Sequence, residues 1–70
     1  SYLNQQFRQA TGTTVWNYIL LKRLMIARAA IRDGVPVTDA FRRSGFTDYS
    51  AFYRRYRDRF GVSPKDDLPK

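Results

Sequence analysis

Between Tyr49 and Phe60 the chain reads YSAFYRRYRDRF, with Arg54, Arg55, Arg57 and Arg59 set among Phe52, Tyr53, Tyr56 and Phe60. Guanidinium groups do not trade protons near neutral pH. They offer a permanent charge on a planar fork of donors, which suits phosphate or carboxylate. The rings beside them either fill a core or lie against a flat partner. This is therefore a core helix solvated by arginine, or a helix built to lie on something negative. The chain offers no competing chemistry. It has no cysteine and no histidine, which removes disulfides, thiolate nucleophiles, imidazole bases and the usual zinc sites together. The acids are all aspartates, Asp33, Asp39, Asp48, Asp58, Asp66 and Asp67, scattered singly except for the last pair. No nucleophile sits with a base, so no catalytic residue, metal or cofactor is expected, and the chain reads as a non-enzyme.

Thirteen Lys and Arg against six acids give a net charge of +7, most of it arginine. A small domain this basic calls for a polyanionic partner, of which nucleic acid is the commonest. At 70 residues the chain is one domain or a piece of one. Hydrophobic residues at 43% and aromatics at 16% can build a small core and argue against disorder. No apolar run approaches the ~20 residues of a membrane span, and no signal peptide opens the chain, so no membrane partner is expected.

The elements that must carry the arginines read as helices throughout. No alternating β-branched run appears. Gly12, Gly34, Gly45 and Gly61 break the chain, with Pro36 and Pro64 close behind two of them, as glycine and proline do at helix ends and starts. The expected class is all-α. In the first piece, residues 1–12, Leu3, Phe7 and Ala10 share one face while Ser1, Asn4, Gln5 and Arg8 gather on the other. The second, residues 13–34, is a long helix capped by Thr14 and ended by Gly34. Val15, Tyr18, Ile19, Met25, Ile26 and Ala29 form one stripe, which Trp16, Leu20, Leu21, Leu24 and Ile31 widen. A helix apolar nearly all round is buried on more than one side, so it is expected between two packed bodies. Trp16 reads as core or edge packing and Arg23 as structurally bonded.

Residues 36–61 hold a short helix and a longer one. Val37, Ala40 and Phe41 make the contact set of the short helix, Gly45 the sharp turn, and Thr47 the cap of the next helix with Asp48 in its first turn. In that last helix the rings and the charges are sorted. Phe52, Tyr56 and Phe60 recur every four residues on one face. Ser50, Tyr53, Arg54 and Arg57 lie opposite, with Arg55 and Arg59 on the flanks. A short helix, a glycine turn and a helix with a basic outer face make the layout of a helix-turn-helix. Residues 62–70 form a C-terminal tail.

Several groups of residues resemble the C-terminal DNA-binding domain of AraC/XylS-family transcription regulators. They are Leu3 and Phe7 before Thr11-Gly12; Tyr18, Arg23-Leu24 and Ala27; Gly45-Phe46; the run Ser50-Ala51-Phe52-Tyr53-Arg54; and Phe60-Gly61-Val62-Ser63-Pro64. The resemblance covers nearly the whole chain, in order and spacing. It implies two helix-turn-helix units joined by a long central helix, with residues 1–11 as the first recognition helix and 48–60 as the second. The first unit is then expected to be incomplete, and no effector domain, and so no small-molecule ligand, is expected in this stretch. The resemblance also implies a bacterial, cytoplasmic, nucleoid-associated regulator of transcription that binds double-stranded DNA. Its base-reading positions fall on Ser1, Asn4 and Gln5, and on Tyr49, Ser50, Tyr53 and Arg54. Arg8, Arg42, Arg43, Arg55, Arg57 and Arg59 are expected at phosphates. The family also contacts RNA polymerase, so the alternative is a basic protein-interaction module for an acidic partner such as a polymerase subunit. Two departures stand out: Ala40-Phe41 replaces an aliphatic residue followed by alanine, and Asp67-Leu68 replaces an aromatic-basic pair.

Overall fold

The computed structural model describes Gln5 and residues 12–70. The expected apolar face Leu3, Phe7 and Ala10 lies outside the described residues, as do Ser1, Asn4 and Arg8; Gln5 is helical and exposed. From residue 12 onward the chain forms α1 (Val15–Arg32), α2 (Val37–Ser44), α3 (Tyr49–Phe60) and a 3-10 turn (Pro64–Asp67). No strand occurs among the described residues, so the fold is all-helical. None of the described helices is long and apolar enough to cross a membrane.

The helix ends follow local chemistry. Thr14 caps α1, its Oγ1 accepting from the Asn17 N–H at 3.0 Å. At the other end Gly34 takes φ +96, and two hydrogen bonds close the helix: Gly34 N–H to the Ile31 carbonyl at 2.9 Å and Val35 N–H to that of Ala30 at 3.0 Å. That pair of bonds is the Schellman motif, which satisfies carbonyls the helix leaves open. The cap of α3 departs from expectation. Asp48, not Thr47, is the cap residue, its Oδ1 accepting from the Ser50 N–H at 3.0 Å. Both residue types can cap. A carboxylate at this position also meets the positive end of the helix dipole, so Asp48 performs both roles expected of the pair.

The core is drawn from all three helices. Leu24, Ala27 and Ile31 of α1, Ala40 of α2, and Phe52 and Tyr56 of α3 are buried together, with Val35, Val37, Phe41, Phe46, Phe60, Val62 and Leu68 packed around them. The α1 contribution is a single face at spacings of four, three and four from Leu20. Part of the expected stripe faces elsewhere: Met25 and Ile26 are 52% and 53% exposed, and Ala29 is exposed too. Trp16, expected as core or edge packing, is 54% exposed and so lies at the edge. A helix apolar nearly all round does not declare which face its neighbours will cover. Here α2 and α3 pack on the Leu20–Ile31 side.

Candidate nucleic-acid interface

The turn between α2 and α3 is wired by Ser44, which is almost fully buried. Its Oγ donates to the Phe41 carbonyl at 2.6 Å and accepts from the Phe46 N–H at 3.3 Å. Gly45 between them has φ +90, which disfavours any side chain. A Cβ there would also meet Arg23 Nε at 3.4 Å. Phe46 then lays its ring 5.4 Å from that of Phe52. Polar wiring, a left-handed glycine and an aromatic anchor thus fix how α3 leaves α2.

α3 is pinned along its inner side by rings. Phe52 and Tyr56 are fully buried with centroids 5.7 Å apart, and Phe60 follows at 4.7 Å from Tyr56. Phe41, larger than the alanine usual at its place in the resemblance, fills the gap between the helices. It contacts Phe52 at 5.4 Å and meets Tyr49 edge-on at 5.3 Å. With the inner face anchored, the helix repeat turns Ser50, Tyr53, Arg54 and Arg57 outward, and all of them are exposed. Tyr53, Arg54 and Arg57 line a shallow recess of about 330 Å³ on that face. Arg55 and Arg59 are exposed on the flank, beside an open groove floored by Leu20, Leu21 and Leu24.

Electrostatically this face is dominated by cations, with the single acid Asp58 lining the same recess. Among the described residues Arg54, Arg55, Arg57 and Arg59 form no ion pair, and Asp58 pairs with none of them. On α2, Arg43 is exposed, whereas Arg42 lies 3.5 Å from Asp39 in a solvent-exposed pair. Such a pair is worth little and opens readily to a better partner. Tyr49 is 43% exposed, so it presents an edge outward while its ring holds Phe41 and Phe52.

The α1 arginines are engaged instead. Arg23 lies over the Trp16 ring at 5.5 Å, a structural use in keeping with expectation. Arg28 sits over Phe60 at 4.4 Å and brings Nε within 3.3 Å of Asp67 Oδ2. That Nε is buried and finds no hydrogen-bond geometry, so its hold on Asp67 is electrostatic. Arg32 approaches the other carboxylate oxygen at 4.0 Å, and the Tyr56 hydroxyl donates to Asp67 Oδ2 at 2.5 Å. Burial, then the hydrogen bond to Asp67 and its negative charge, push the Tyr56 phenol well above its ordinary value; Arg28 and Arg32 oppose this. The tail thereby docks through Asp67, with Pro64 buried and Leu68 against the core. Sequence reading missed this cluster. Its only advance signal was the Asp66-Asp67 pair in a chain otherwise poor in acids.

A helix-turn-helix domain family model matches residues 1–68. The chain belongs to the AraC/XylS-type helix-turn-helix family. Relatives include the transcriptional activator RhrA of Rhizobium meliloti, 35% identical over 65 residues, covering 89% of this chain and 21% of RhrA. The regulatory protein Ada of Salmonella typhimurium is 33% identical over 64 residues, 91% of this chain and 18% of Ada. The regulatory protein SoxS of Escherichia coli is 32% identical over 66 residues, 93% of this chain and 62% of SoxS. This AraC/XylS-type chain therefore spans about a fifth of RhrA and Ada and under two thirds of SoxS. No solved structure matches it. Family membership and these regulators support DNA binding in transcription regulation.

Proposed function

We propose that this domain binds double-stranded DNA sequence-specifically to regulate transcription, with α3 entering the major groove. The observation that carries the reading is the outer face of α3. Ser50, Tyr53, Arg54 and Arg57 stand exposed on a helix whose opposite face is locked in the core, and its arginines have no ion pairs among the described residues. A groove ~12 Å wide admits such a helix. Arg54 makes a bidentate contact to guanine, the geometry that discriminates best. Tyr53 and Tyr49 pack on thymine methyls or sugar, and Ser50 bonds a base edge or phosphate. Arg42, Arg43, Arg55, Arg57 and Arg59 hold phosphates and set register. Residues 1–12 supply the recognition helix of a first unit, where Ser1, Asn4 and Gln5 read bases, adenine edges suiting the two amides, and Arg8 holds phosphate. Residues 13–34 join it to the second unit at 36–61, and 62–70 form the tail. Contact with an acidic subunit of RNA polymerase belongs to the same reading, and the activator among the relatives supports it.

Selection against a random duplex pool tests it. Two short motifs about one helical turn apart, ~10 bp, are expected if both units read. A single motif would restrict reading to α3. Retention that is steeply salt-dependent but without base preference, together with capture of an acidic protein, would replace DNA reading by the interaction-module alternative.

A further inference from the structure

Asp67 occupies a junction that the proposed DNA contacts do not use. Its carboxylate, with the side chain only 11% exposed, meets Arg28 and Arg32 from α1 and the Tyr56 hydroxyl from α3. One side chain from the tail thus ties the recognition helix to the central helix, on the side away from the α2 turn. The pair implied by the resemblance after Ser-Pro is aromatic-basic, whereas this chain places a carboxylate, Asp67, at that point. Tyr56 lies one residue from Arg57 and two from Arg54, on the same rigid helix. Rotation or tilt of α3 at Tyr56 moves those guanidiniums too.

We propose that Asp67 is a positioning residue for DNA recognition: its clasp on Arg28, Arg32 and Tyr56 sets the pose of α3 against α1, and with it base preference, without Asp67 touching DNA. This rests on the DNA-binding reading above. The three partners act differently. The arginines hold the carboxylate by charge, and the tyrosine fixes its direction by a hydrogen bond. Asp67→Asn keeps an acceptor for Tyr56 and removes the charge, so it separates the two.

Electrostatics alone and positioning predict opposite signs for this variant. Removing a negative charge from a basic protein strengthens its attraction to any duplex. Loss of positioning weakens binding to the preferred duplex, by about tenfold. The expected result for Asp67→Asn is therefore a lower ratio of preferred to random duplex affinity, measured where circular dichroism shows it folded. Equal strengthening on both duplexes would overturn the proposal. A second readout does not need DNA. The chain has no cysteine, so Lys22→Cys on α1 and Asp58→Cys on α3 accept a spin-label pair. The clasp predicts that Asp67→Asn broadens or shifts the distance between the labels, and that Asp67→Glu restores part of it. An unchanged distance sinks the proposal. A changed distance in a protein that prefers no duplex would sink the DNA-binding reading instead and leave the clasp standing.

Discussion

Arginine serves opposite ends on two helices of this small domain. On α1, Arg23 and Arg28 lie over the rings of Trp16 and Phe60, and Arg28 and Arg32 meet Asp67. On α3, Arg54, Arg55, Arg57 and Arg59 are exposed and form no ion pair among the described residues. Net charge counts both sets alike, yet only the second is free to meet an external anion. The difference lies in what surrounds each guanidinium. Arg28, held by both a ring and a carboxylate, would have to give up both to bind phosphate, and Arg23 and Arg32 would each give up one. A hydrated cation has only water and loose counterions to release.

Substitutions in the two sets should accordingly move different observables. Arg28→Ala carries the largest expected effect on stability, about 1.5–3 kcal/mol, because a largely buried carboxylate loses a charged partner and Phe60 its cover. Urea denaturation measures it; a stability within error of the parent would place Arg28 with the idle surface arginines. Arg54→Ala should leave urea stability within about 0.5 kcal/mol. It should remove about 1–3 kcal/mol of discrimination at one base pair, read by titrating single-base variants of the selected duplex. Undiminished preference at every position would take Arg54 out of the reading set. Arg57→Ala should weaken all duplexes alike and lower the slope of log affinity against log salt by about one. A sequence-selective loss would move Arg57 from phosphate to base.

The smallest effect concerns pH. The raised Tyr56 phenol means that the folded state favours its neutral form. That contribution to stability is complete below the unfolded tyrosine value of ~10 and is lost as pH rises past it toward the higher folded value. Stability measured from pH 8 upward should therefore fall more steeply in the parent than in Tyr56→Phe. Parallel curves would mean that the phenol is neither buried nor held by Asp67 as described.

The α3 arginines were legible in the sequence because sorting is a one-dimensional property. Phe52, Tyr56 and Phe60 at steps of four mark the inner face, and Ser50, Tyr53, Arg54 and Arg57 are what remains. The α1 arginines were not legible in this way. On a helix apolar nearly all round, position along the chain does not say whether Trp16 will be covered or Arg28 will meet a tail residue far downstream. The choice of Asp48 over Thr47 as cap is a smaller case. Both can cap, and residue type alone does not say that Asp48 is the one that accepts from the Ser50 N–H.

By itself, then, the sequence determined what repeats locally: helices between glycines, the helix end at Gly34, the sorted faces of α3 and the excess of positive charge. These follow from residue type and helical period alone. The tertiary structure decided what depends on meetings between distant segments. It chose the Leu20–Ile31 face of α1 for burial, left Met25 and Ile26 exposed, and brought Asp67 to Arg28, Arg32 and Tyr56. Packing selects one among several compatible contacts, and only the folded chain holds the distances on which that selection depends.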